Sequence, residues 1–284
     1  MMHFRLQLGI LVLVVLKLVN AAHALEPGVT PESGSLSAAI QLLEQTPTGK
    51  AALEQARLHQ IPIHAGAISK TEITVTRSVD AASTTQDEKL KFVTQVVIAR
   101  DKEPVFQALD LAHELVHAVN PKKNPFDPNL NAQDYIQYGI EGNGGEAQAI
   151  AQECKVGKEL TSLKQETSNL IKARCEFVWN TENETKKWQH SFYQLGQYYH
   201  AFLGLMRNYK TESNAAWTDR VEAKSPVFSS AVAHKPYPLA LLEEYVQITR
   251  VICEKALKTN MGRKIASVAS LETRCRAVSA NTAE

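Results

Sequence analysis

The chain is short of several things, and each shortage closes off a class of function. It has no internal repeat and no long low-complexity tract, so solenoids and fibrous arrays are excluded. Its formal charge is only +1, with 31 basic and 30 acidic residues, so nothing in the charge balance favours nucleic acid or an anionic membrane. It has four cysteines and no C-x-x-C pair, which removes the usual spacing of a cysteine metal site. Its one long apolar run, Leu6–Val19, is too short for a comfortable membrane span. What remains is a chain of 284 residues with 44% hydrophobic content, enough for one large or two small packed domains.

The N-terminal run reads as a secretory signal over residues 1–24. His3 and Arg5 precede the apolar stretch, Lys17 interrupts it, and Ala22-His23-Ala24 supplies small residues at a cleavage position. No cysteine follows that position, which argues against a lipoprotein. Export to a periplasmic or extracellular space would place Cys154, Cys175, Cys253 and Cys275 where disulfides persist. Four cysteines allow three pairings. Spacing favours 154–175 and 253–275 as local staples. The first requires a helical hairpin, because 21 residues of unbroken helix span roughly 31 Å and a disulfide needs Cα atoms within about 7 Å.

The densest signal is His113-Glu114-Leu115-Val116-His117. Leu109, Ala112, Val116 and Val119 recur at helical spacing around it, Asp101 and Glu103 suit a first turn, and Asn120-Pro121 stops the helix. Residues at i and i+4 share a helix face about 5–6 Å apart. Two imidazoles so placed can bind one Zn2+ ion, and Glu114 beside them can serve as general base toward water. A catalytic zinc takes three protein ligands. The next acids are Glu141, Glu146 and Glu153. Glu146 is favoured, because Gly144 and Gly145 permit close backbone approach and Glu146 would open a helix aimed at the site. Asn143-x-x-Glu146 also fits a capping box, in which Glu146 would satisfy only a backbone N–H. Glu153 lies two turns beyond Glu146, too far to share the ion on a straight helix.

Elsewhere, Thr46-Pro47-Thr48-Gly49 divides a helical region, and strand-like runs occupy 61–64, 71–77 and 92–100, with a polar connection over 78–91. From Glu146 onward strand signals vanish and helical runs follow, among them 186–209 and 238–258. The expected architecture is α+β. A catalytic region covers residues 25–156, with a small sheet and the motif helix, and a mostly helical region covers 157–284.

Leu111–Ala118, carrying the motif, together with Gly145-Glu146-Ala147-Gln148-Ala149, resembles the zincin metallopeptidases of the glutamate-ligand branch, the gluzincins, and is similar to small exported bacterial members. The resemblance covers roughly residues 36–156. It implies zinc held by His113, His117 and Glu146, and Glu114 as general base. A protein or peptide substrate is expected to lie extended along the sheet edge, adding a strand by main-chain hydrogen bonds. Thermolysin-like members carry Asp four residues after the third ligand, where this chain has Ile150. The metzincin extension is also absent, Asn120 standing where its glycine would be. Tyr135, Tyr138, His190, Arg207 and Tyr209 are open as donors to a reaction oxyanion. Two other classes compete: a helical scaffold with a structural or vestigial zinc site, and a zinc amidase acting on cell-wall peptides.

Overall fold

A computed structural model describes residues 4–10, 36–79, 88–120, 123–124, 127, 129–163, 168–181, 185–207, 209, 219–258, 272 and 274–276. The fold is α+β, a small sheet among mainly helical elements. Two compact units emerge: residues 1–120 with 148–179, and residues 121–147 with 180–284.

In the first unit, Leu36 leads into α1 (Ser37–Glu44), and α2 (Pro47–Leu58) follows at once. Thr46 explains the break. It sits in extended backbone, its hydroxyl accepts from Gly49 N at 3.1 Å and donates to Leu43 O at 2.9 Å, and Pro47 takes the first helical position. The sheet has the order β1-β3-β4-β2. β3 (Lys70–Val79) and β4 (Glu88–Ala99) pair antiparallel, β2 (Ile63–Gly66) joins β4 in parallel, and β1 (Phe4–Ile10) lies antiparallel on β3. Both middle strands run further into the stretch 78–91 than its polarity suggested, leaving 80–87 outside the described residues. β1 falls inside the expected leader, whose other residues also lie outside them. Along β3, Thr71, Ile73 and Val75 are buried in alternation, as a half-buried strand requires.

The motif helix α3 (Pro104–Val119) starts later than its composition suggested. Pro104 takes its first turn and Glu103 is the N-cap, so Asp101 and Glu103 precede the helix. It is also buried nearly all round, not on one face: twelve of its sixteen residues are buried. Leu109, Leu111, Ala112 and Leu115 join Val96 and Ile98 of the sheet, Leu43 and Leu53 of α1 and α2, and Val156, Leu160 and Ile171 from two later helices in one core. Those helices are α5 (Glu146–Leu163) and α6 (Ser168–Asn180). They form the expected hairpin, bonded Cys154–Cys175 with Cα atoms 5.3 Å apart.

The second unit packs α4 (Ala132–Glu141) on α9 (Tyr237–Lys258), with α7 (Thr185–His190) and α8 (Tyr199–Arg207) between them in sequence. Short 3₁₀ turns at Ser191–Tyr193 and Gly196–Tyr198 interrupt the helical run expected over 186–209. Phe192 stacks on Phe228 at 4.3 Å and meets Tyr237. The second local staple, Cys253–Cys275, is present with Cα atoms 5.6 Å apart. Among the described residues no helix is long and apolar enough to cross a membrane.

The cap at Thr46 is buried and bonded in two directions, so Thr46→Ala should cost about 1 kcal/mol or somewhat more. Urea unfolding measures this, and a midpoint unmoved from wild type would show that Pro47 alone sets the helix start.

Candidate metal centre

The i, i+4 spacing on α3 brings His113 and His117 to a ring-centroid separation of 4.9 Å. Their Nε2 atoms face each other at 3.1 Å. Two nitrogens bound tetrahedrally at about 2.0–2.1 Å would stand about 3.3 Å apart, so the pair is set for one shared ion with little movement. Glu146, fully buried at the start of α5, completes the group: its carboxylate and the two imidazoles offer ligand atoms all within 4.8 Å of one another. Two neutral nitrogens and one carboxylate are a donor set that fits a divalent transition metal.

The turn before Glu146 shows why glycine is needed there. Gly144 has φ 77°, a left-handed conformation. A Cβ on Gly145 would fall 2.8 Å from Ile140 O and 2.9 Å from Gly139 O. Larger residues would push the end of α4 away from the start of α5. Glu141, the competing candidate, takes a different role: it accepts from the Tyr193 hydroxyl and lies 3.5 Å from Arg220.

Glu114 is buried between the two histidines in sequence and is held by the sheet. Thr71 Oγ1 lies 2.8 Å from Glu114 Oε2 and 2.9 Å from its main-chain oxygen, so one hydroxyl proton serves two acceptors. Thr71 was not legible as a site residue; only its place on the inward face of a strand beside the motif helix pointed to it.

Glu153, expected from spacing to lie too far along α5 to share an ion with Glu146, is outside the group formed by His113, His117 and Glu146, and its contact with His113 was not anticipated. Its Oε2 lies 3.0 Å from His113 Nδ1. Being seven residues past Glu146, it shares that residue's face of the helix, which was the available signal. The other oxygen accepts from Arg174 Nε on α6. Arg174 Nη2 also donates to Asp110 Oδ1 at 2.8 Å, and Asp110 Oδ2 receives Lys102 Nζ at 2.6 Å and the Ser69 hydroxyl. Burial opposes ionisation of Asp110, but Arg174, Lys102 and Ser69 outweigh it and hold the carboxyl below the ordinary aspartate range. Burial likewise disfavours charge on Arg174, and Glu153 and Asp110 overcome it, raising Arg174 above the usual guanidinium value. Glu153, Cys154 and Cys175 also cluster, but the two sulfurs are bonded to each other, which removes them as thiolate ligands.

Four of the residues open as oxyanion donors have partners within the second unit. Tyr135 donates to Glu244 Oε1 at 2.5 Å, Tyr138 lies under Lys123 Nζ at 4.9 Å, and His190 Nε2 lies 2.9 Å from Glu222 Oε1. Tyr209 packs edge-on against Tyr245, and Arg207 is exposed at the end of α8. Burial drives the Glu244 carboxyl up to about 8; the charge of Glu146 adds to this and the Tyr135 hydrogen bond opposes it.

No protein-family model, no curated protein and no solved structure matches this chain. Kinship with the gluzincins therefore remains an expectation carried by the motif.

Two outcomes follow. Glu146→Ala should remove most bound metal, while Glu141→Ala should keep it; a capping role for Glu146 would instead cost about 1 kcal/mol with metal retained. Metal analysis of the purified variants decides, and full occupancy in Glu146→Ala would reject the ligand assignment. Glu244 concerns pH. Its folded value of about 8 exceeds the ordinary 4.5, so the folded state binds the extra proton between those values. Its contribution is complete below the lower value and is lost as pH rises through the upper one. Glu244→Gln should therefore flatten the fall in stability between about pH 5 and about pH 9, measured by urea unfolding with metal chelated. An unchanged slope would show that Glu244 is not the group responsible.

Proposed function

We propose that this chain is an exported zinc metallopeptidase. The observation that carries the reading is the group formed by His113, His117 and Glu146 together with Glu114, next in sequence to His113 and held by Thr71. A structural zinc site is closed by four protein ligands and has no use for a general base, whereas a catalytic site keeps a position open. Three protein ligands and an adjacent carboxylate fit the second kind. This also disfavours a scaffold with a vestigial site. An amidase acting on cell-wall peptides would use the same residues and differs only in substrate.

When bound, zinc would supply a Lewis acid that acidifies water and polarises the scissile carbonyl. The protein's own part is proton handling and orientation. The Glu114 carboxylate would take the proton from the attacking water and deliver it to the leaving amine. Thr71 holds one Glu114 oxygen and so fixes the direction in which the carboxylate acts. Glu153, on the outer nitrogen of His113, turns the inner nitrogen toward His117.

The substrate would be a protein or peptide. Strand β3 carries Thr71, and its outer edge is paired with β1, the start of the expected leader. Removal of that leader would leave the edge for an extended peptide to join by main-chain hydrogen bonds. Export is supported by both disulfides, which fit a non-reducing compartment.

Glu114→Gln should retain zinc and lose cleavage of an unfolded protein substrate by roughly 10²–10⁴-fold. Cleavage at the wild-type rate by the zinc-loaded variant would overturn the reading.

A further inference from the structure

The polar chain behind His113 belongs to three helices, and the Cys154–Cys175 bond sits at its middle. Glu153 and Cys154 are neighbours on α5; Arg174 and Cys175 are neighbours on α6. The disulfide thus joins the residues next to a buried ion pair. The side chains of Asp110 and Glu153 are each only 5% exposed, while that of Arg174 is 32% exposed. One partly wet cation therefore bridges two buried anions on separate helices, Asp110 being met by Lys102 as well. Its guanidinium fork suits that task, since Nε meets Glu153 and Nη2 meets Asp110. α5 and α6 also approach closely beside it: a Cβ on Gly157 would lie 2.7 Å from Ile171 Cγ2 and 3.7 Å from Cys175 Sγ.

The geometry of His113 makes this matter. Its Nε2 faces His117 Nε2, so metal binding requires Nε2 to carry a lone pair and Nδ1 to carry the proton. A carboxylate on Nδ1 enforces that tautomer, because it can only accept.

Resting on the metal reading above, we propose that Glu153 and Arg174 are positioning residues that hold His113 in its Nδ1–H form for the metal, and that the Cys154–Cys175 bond keeps their clamp closed. The second disulfide, Cys253–Cys275, lies in the other unit and has no part in it.

Glu153→Gln separates this from a merely structural role. Arg174 Nε still demands an oxygen, so the glutamine would turn its carboxamide oxygen to Arg174 and its NH₂ to His113. That NH₂ favours the opposite tautomer, with the proton on Nε2. The experiment uses the full chain, with zinc affinity measured by competition against a chromophoric chelator. The tautomer of His113 is read in the metal-free protein from its ¹⁵N ring shifts. Wild type should show Nδ1–H, and Glu153→Gln should show Nε2–H with zinc affinity about 10–100-fold lower. Glu153→Asp, which restores an acceptor-only group, should recover the Nδ1–H tautomer. Arg174→Lys keeps charge but not the fork, and should weaken zinc in the same direction. It also serves should Glu153→Gln fail to fold. Replacing Cys154 and Cys175 together by alanine should lower affinity about tenfold, while the same change at Cys253 and Cys275 should leave it at wild type. Wild-type affinity and tautomer in Glu153→Gln, or wild-type affinity in Arg174→Lys where Glu153→Gln does not fold, would overturn the clamp. Equal losses from the two cysteine pairs would overturn the role given to the first disulfide. Absence of zinc binding by the wild-type chain would instead overturn the metal reading itself.

Discussion

Helix α3 has to be buried on nearly every side while carrying Asp110, His113, Glu114 and His117. Burying an unmet polar or charged group costs several kcal/mol, so Asp110, His113 and Glu114 each oblige a neighbouring element to come to them. Thr71 of β3 reaches Glu114, Ser69 and Lys102 reach Asp110, Glu153 of α5 reaches His113, and Arg174 of α6 joins the two anions. The sheet, the hairpin and the motif helix are thereby held in one arrangement by polar contacts as well as by the apolar core. A core of Leu and Ala alone would accept a slip of one helix along another. This set of hydrogen bonds does not, because a shift of one residue would strand at least one charge.

The polar chain is better understood as a specifying device than as a source of stability. Buried ion pairs gain in Coulomb energy roughly what they lose in desolvation, and apolar replacements of matched volume are often as stable. Loss of a single partner is costly, because the remaining charge stays buried. The charges here alternate along the chain, Lys102, Asp110, Arg174, Glu153, and end on a histidine whose proton position the last carboxylate decides. The same contacts that orient the site thus also tie it to the packing of the hairpin.

The parts of this architecture that obey a local rule were readable from the chain. The two histidines share a face because α-helices have a fixed period, Thr46-Pro47 ends one helix and opens another, and the cysteine spacing demanded a reversal between Cys154 and Cys175. Glycines 144 and 145 marked the close approach before Glu146. What was not readable depends on contacts between distant segments. Thr71 lies 43 residues from Glu114 and Arg174 lies 64 from Asp110, and neither belongs to a spacing pattern. The boundaries of α3 were displaced for a related reason: the acids at 101 and 103 have the composition of a first helical turn, but Pro104 fixes where the turn begins.

Two local disulfides, one in each compact unit, suit this division of labour. In the chain-entropy view, closing a loop of about 20 residues contributes on the order of 3 kcal/mol by restricting the unfolded chain, and that would be welcome in either unit. The placement of the first bond goes beyond stabilisation. A staple anywhere along α5 and α6 would close a similar loop, yet this one falls beside the two residues whose charges must meet. A covalent constraint at that point fixes the separation of the two backbones from which Arg174 and Glu153 reach each other. Fixing the helix register there also fixes the carboxylate that faces His113, and through it the ring that presents its other nitrogen to His117.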